Sequence, residues 1–339
     1  MRKPQVLISA DAGDRMELML VAAIATVLGI RAFLAATGYP QVGGSGLHIA
    51  HLLWGGLGLA IALIISMSVL GRRSKTLAAL IGGIGFGFFI DEVGKFVTTT
   101  NDYFYKPAIA LIYVTFVAIA LVLRFVRTRR LSPNAALANA LDMIADAHST
   151  GLDESEQVRI VELLDAAEQD TPIIAALRAS VLAAPTAPDA PNPYLRLKAR
   201  LATRYERIAV SPLFIRLLII GAIVFLVVSI PSLGLVLGAL VAGLELPQSN
   251  AIALAAIADS LVVAATLVGV IQLARHRRLK GLEWLRTSLA ISILLASPIQ
   301  FWFDEFAALP SFILTLLAYG ALGFAVRRER ERADATTSG

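Results

Sequence analysis

Six ionisable residues interrupt apolar stretches in the first third of this 339-residue sequence: Arg31, His48, His51, Asp91, Glu92 and Lys95. His48 and His51 are three apart and share a face if they lie on a helix. Asp91 and Lys95 are four apart, and Glu92 and Lys95 three. Two imidazoles and a carboxylate are a normal ligand set for a divalent metal such as zinc. The fourth position is then open to a water that the ion activates for hydrolysis. On this reading His48, His51 and Asp91 hold the metal, Asp91, Glu92 and Lys95 do the acid–base work, and Arg31, Asn101 and Asp102 support them. The same residues can instead carry ions or protons in a transporter. A third reading needs no chemistry: Arg31 and Lys95 pair with the two carboxylates, and the histidines serve as hydrogen-bonding partners.

The elements that must position these residues are apolar helices. The chain is 57% hydrophobic and 16% charged, with a mean hydropathy of +0.73. Soluble domains carry about 25% charged residues, and a soluble surface cannot absorb so apolar a sequence. A bilayer can, given spans of about 20 residues. Eight such spans are read at 17–37, 48–70, 76–97, 107–126, 212–234, 251–273, 287–306 and 308–326. The last two meet at Asp304-Glu305 and Pro310 with almost no loop, so a re-entrant pair is an alternative. With no cysteines, thiol chemistry and disulfides are excluded. The net charge is +5, but the basic residues cluster beside apolar runs and no base-reading motif accompanies them, so nucleic acid is not the expected partner. Basic clusters at Arg72-Arg73, Arg124–Arg130, Arg275–Lys280 and Arg327–Arg332 alternate with loops poor in Lys and Arg. That alternation predicts both termini in the cytoplasm, and the expected location is a bacterial-type inner (plasma) membrane.

The expected architecture is all-α, with residues 1–130 as a first four-span half and 212–339 as a second. Residues 131–211 form a cytoplasmic helical insert between them. Ser132-Pro133 and Thr171-Pro172 read as helix starts. Residues 185–193 read as a proline-rich linker. Residues 194–209 read as a basic helix, either lying on anionic lipid at the cytoplasmic face or extending the fifth span. Residues 131–193 are the candidate surface for a cytoplasmic partner.

The halves resemble each other. A basic turn, a span ending in Phe88-Phe-Ile-Asp91-Glu92, and a span ending in arginines recur as a basic turn, a span ending in Phe301-Trp-Phe-Asp304-Glu305, and a span ending in arginines. This pattern is that of a parallel repeat. Asp259, Asp304 and Glu305 are the second-half counterparts of the polar cluster. Because the second half lacks the histidines, the first half is the expected site.

The stretches Thr37-Gly-Tyr-Pro-Gln-Val-Gly-Gly44, Leu47-His-Ile-Ala-His-Leu-Leu-Trp-Gly-Gly56, Phe89-Ile-Asp-Glu-Val-Gly-Lys-Phe96 and Asn101-Asp-Tyr-Phe-Tyr-Lys-Pro107 resemble a family of uncharacterised bacterial multi-pass membrane proteins. That resemblance covers the first four spans and implies no activity. A looser likeness is to the membrane hydrolases related to alkaline ceramidases, which use histidines and carboxylates within their spans. This sequence has no third membrane histidine, since His148 and His276 fall on the cytoplasmic side. The expectation is therefore a membrane protein with an outward-facing His/Asp/Glu cluster, read as a metal-dependent hydrolase or transferase. The alternatives are a transporter or channel, or a non-catalytic scaffold or signalling protein.

Overall fold

A computed structural model describes residues 7–38, 51–97, 105, 107–167, 171–188, 193–243 and 249–337. The protein is all-α. Its only strands among these residues are the two-residue parallel pair β1 (Leu152–Asp153) and β2 (Thr186–Ala187). Seven helical runs among the described residues are long and apolar enough to cross a membrane. The chain forms two compact units, residues 1–104 with 114–191, and residues 105–113 with 192–339.

In the first unit, α3 (Arg72–Asp91) packs between α1 (Ala12–Thr37), to which it is parallel, and α2 (His51–Ser68), to which it is antiparallel. Their sequences permit unusually close approach. A methyl group placed on Gly83 would lie 2.4 Å from the Met19 carbonyl oxygen. One placed on Gly85 would lie 2.8 Å from the Gly55 carbonyl oxygen. Small residues are what let apolar helices associate by backbone contact where no hydrophobic drive exists between them. The short α4 (Val93–Val97) follows α3 after a break at Glu92, and α5 (Pro107–Thr128) follows α4 in the chain.

Beyond α5 comes a soluble-type module of α6 (Pro133–Thr150), α7 (Glu154–Asp165) and α8 (Pro172–Ala183). Ser132 and Thr171 cap α6 and α8 just before prolines at the first helical positions. Asp153 and Glu156 form a capping box that starts α7, a helix the sequence reading did not separate from its neighbours. The module has its own core of Ala136, Ala140, Met143, Ile160, Leu163, Leu164 and Val181.

Charged residues fasten this module to the helices of the first unit. Arg72 donates through Nε to Asp11 at 2.7 Å and through a terminal nitrogen to Glu156 at 3.0 Å, while its backbone N–H donates to Asp146 at 3.1 Å. Lys75 pairs with Asp142 at 3.1 Å. Asn139 accepts from the Ala10 N–H and donates to the Ile8 carbonyl, holding the segment that enters α1.

The second unit contains α9 (Pro193–Ala209), α10 (Pro212–Val241) and α11 (Ser249–Ala274). After these, one continuous apolar run covers residues 278–335. This run doubles back on itself. Helix α12 (Arg278–Ile291) passes through a π-helical turn at Ser292–Ala296 into α13 (Ser297–Asp304). A 3-10 turn at Glu305–Ala308 then reverses the chain into α14 (Leu309–Thr337). The Glu283–Arg330 pair, 2.7 Å apart, shows that the arms are antiparallel. Each arm of this hairpin is long enough for a crossing, since residues 278–304 alone make about 40 Å of helix.

The π turn leaves one carbonyl without a backbone donor. In its i→i+5 register the Ile293 carbonyl would meet the N–H of residue 298, which is Pro298 and has none. The Tyr113 hydroxyl donates to the Ile293 carbonyl instead. Tyr113 is buried, stacked on Phe301 and edge-on to Phe312 at 4.9 and 5.0 Å between ring centroids.

Candidate functional site

Arg31, His51, Asp91 and Glu92 converge at the end of the first unit where α1 and α3 finish. Arg31 comes from the penultimate turns of α1, His51 from the first described turn of α2, and the two carboxylates from the end of α3. Asp91 and Glu92 are 1% and 0% exposed, so their charges need partners from the protein itself. Each carboxylate oxygen has a near neighbour. Asp91 Oδ1 accepts from Arg31 Nε at 2.5 Å. Asp91 Oδ2 lies 3.1 Å from His51 Nε2. Glu92 Oε2 accepts the Leu52 backbone N–H at 2.7 Å, and Glu92 Oε1 lies 3.8 Å from His51 Nδ1. Arg31 also donates to the Asp91 backbone carbonyl at 3.0 Å. It thereby satisfies a terminal carbonyl of α3 and sets a cation at the negative end of that helix.

Adjacent residues on an unbroken helix diverge by about 100°, which would keep Asp91 and Glu92 from facing one partner. The helix ends at Asp91, and Glu92 leaves the helical path. Both carboxylates therefore turn towards the same imidazole.

The sequence-derived candidates divide as follows. Arg31, His51, Asp91 and Glu92 are brought together. His48, Asn101 and Asp102 lie outside the described residues, as does the Lys95 side chain on α4. Asp304 and Glu305 end α13 as Asp91 and Glu92 end α3, but their setting differs. Asp304 is exposed and has no partner among the described residues. Glu305 sits at φ 51°, in the left-handed region. Asp259 lies exposed in the apolar α11, also without a partner among the described residues.

Among the described residues, no group of three or more His, Cys, Asp or Glu is arranged to hold a metal ion. His48, the other expected ligand, lies outside these residues. A fixed guanidinium is bonded to Asp91 Oδ1, where a ligated cation would bring a second positive charge. His51 Nε2 is engaged with Asp91 Oδ2.

Sequence reasoning missed two positions of consequence. Arg72 was read only as part of a topology signal, whereas it is the hub on which α1, α3, α6 and α7 meet. The spacing of Asp142 and Asp146, one helical turn apart on α6, was the available clue. Tyr113 was not singled out, because its partner lies 180 residues away.

No family model matches the chain, and no curated protein or solved structure is significantly similar to it. The reading of its function therefore rests on its own residues.

Proposed function

We propose that the chain is an integral protein of a bacterial inner membrane, crossing it eight times with both termini in the cytoplasm. On this reading Arg31, His51, Asp91 and Glu92 form a charge lock that joins the first three spans near the outer face. The same helices present the α6–α8 module at the cytoplasmic face as a fixed surface for a partner. The protein is a membrane scaffold and not an enzyme. One observation carries the reading: among the described residues the two buried carboxylates are held by Arg31, the His51 imidazole and the Leu52 backbone N–H, so protein groups supply the partners that their charges need. A charge within a span costs about 2.5–3.5 kcal/mol on insertion scales, and pairing of this kind is the usual remedy. Metal-dependent hydrolysis would require Asp91 to leave Arg31, with His48 supplying a further ligand. The axis of a parallel repeat along the membrane normal would account for the matching helix ends at Asp91-Glu92 and Asp304-Glu305.

A second reading has its own support. His51 has one carboxylate near each ring nitrogen, so the imidazole can take a proton at one nitrogen and release it at the other. That is the local chemistry of a proton-handling site in a transporter.

Proton flux into liposomes separates the two. The lock reading expects His51→Gln to lower the thermal unfolding temperature while liposomes with either protein leak protons equally slowly. Flux carried by the natural protein and lost in His51→Gln would establish the transporter.

A further inference from the structure

We infer that α9 is a lipid-sensing helix that lies along the anionic cytoplasmic surface of the bilayer, bound through lipid phosphates. The inference rests on the membrane-spanning reading of the apolar helices. Within Pro193–Ala209 there are five basic residues, Arg196, Lys198, Arg200, Arg204 and Arg207, against one acidic residue, Glu206. At about 100° per residue, Leu197, Leu201, Tyr205 and Ile208 fall within an arc of about 80°. The four arginines occupy the adjoining flank, Lys198 the other side, and Glu206 the opposite face. This is the arrangement of an interfacial helix, with apolar side chains down and guanidiniums at headgroup level.

Two observations on α9 point to an external partner. Arg72, Arg127, Arg278 and Arg330 each pair with a carboxylate of the protein. Arg196, Arg200, Arg204 and Arg207 pair with none among the described residues. Four guanidiniums on one flank, free of internal carboxylates, suit an external anionic surface. In addition, Leu197, Leu201 and Ile208 are each 56% exposed, so the partner must take apolar side chains and accept guanidinium hydrogen bonds together. The headgroup region of an anionic bilayer does both.

The helix is also fixed in place for this role. Tyr205 donates its hydroxyl to the Leu317 carbonyl of α14 and packs on Phe324 at 5.8 Å. A methyl group on Gly320 would lie 2.5 Å from that hydroxyl, so the residue at 320 makes room for the anchor. Burial raises the Tyr205 hydroxyl above its ordinary pKa, against a backbone hydrogen bond that lowers it, and the phenol stays a neutral donor. Pro212 starts α10 only two residues after Val210, so α9 feeds directly into an apolar run.

The chain has no cysteine, so a spin label on Leu201→Cys or Val224→Cys is unique. Each labelled protein is reconstituted in phosphatidylcholine alone and in phosphatidylcholine mixed with phosphatidylglycerol. Collision with oxygen is compared with collision with a water-soluble nickel chelate. We expect the Leu201 label to become oxygen-accessible and nickel-shielded when phosphatidylglycerol is present. The shift should be reversed by high salt and lost in R196Q/R200Q/R204Q/R207Q. A Leu201 label equally open to nickel in both membranes would overturn the inference and leave the face to a soluble partner. The Val224 label reports on α10: if it too is open to nickel, the membrane-spanning reading itself has failed.

Discussion

Arg31 holds Asp91 twice, at the carboxylate through Nε (2.5 Å) and at the backbone carbonyl through a terminal nitrogen (3.0 Å). About twenty residues earlier in each helix, the Asp11–Arg72 pair at 2.7 Å closes the opposite end. Between the two ion pairs, α1 and α3 touch backbone to backbone at Gly83 and Met19. The parallel pair is thus fixed in register at both ends and in the middle.

Breaking the Arg31–Asp91 pair on one side leaves a buried charge uncompensated, which costs about 3–5 kcal/mol. Arg31→Met and Asp91→Leu should each lower stability by an amount of that order, read as unfolding in detergent. The double variant should recover much of the loss, because no unpaired charge remains. A double variant as unstable as the sum of the single losses would mean that the pair is not the relevant unit.

Arg72→Gln should loosen the module without unfolding it, since the α6–α8 core is separate from the hub. Amide exchange in α6 and α7 should rise where they face Asp11 and Arg72, and limited proteolysis near residues 131–132 should accelerate. Unchanged exchange would show that the charged contacts are incidental to docking. Their strength should fall with added salt, as for any partly exposed pair.

Tyr113→Phe removes the donor to the Ile293 carbonyl and leaves it unpaired in an apolar setting, a loss of about 1–3 kcal/mol. Pro298→Ala restores the missing N–H at the position the π register requires. Combined with Tyr113→Phe it should therefore be less damaging than additivity predicts. Strict additivity in a double-mutant cycle would refute the coupling of these two residues.

The hairpin of α12–α13 and α14 bears on the number of crossings. A single cysteine at Asp304 should react with an impermeant maleimide added outside spheroplasts, and one at Ser132 only after lysis. Protection of the Asp304→Cys variant from the outside would make the last two helices a re-entrant pair.

The sequence announced its helices well. Apolar length fixed most of the runs, and Ser132-Pro133 and Thr171-Pro172 marked helix starts that are capped as expected. The convergence of Arg31, His51, Asp91 and Glu92 was legible because buried charges must pair. What was not legible depended on backbone geometry or on distance along the chain. The break at Glu92, which turns both carboxylates to one imidazole, carries no proline to reveal it. The hub at Arg72 joins residues from four helices, and a basic residue beside an apolar run looks the same whether it faces phosphate or Asp11. Nor did the matching Asp-Glu pairs disclose that one is buried and the other exposed at Asp304.

Elemental mass spectrometry of the purified protein decides whether Arg31, His51, Asp91 and Glu92 act as a charge lock or hold a metal. The natural protein should be compared with the His48→Ala/His51→Ala variant. Metal far below one equivalent is expected in both, with the variant less stable. Near-stoichiometric zinc or another transition metal in the natural protein, lost in the variant, would contradict the charge lock and return the cluster to hydrolytic chemistry.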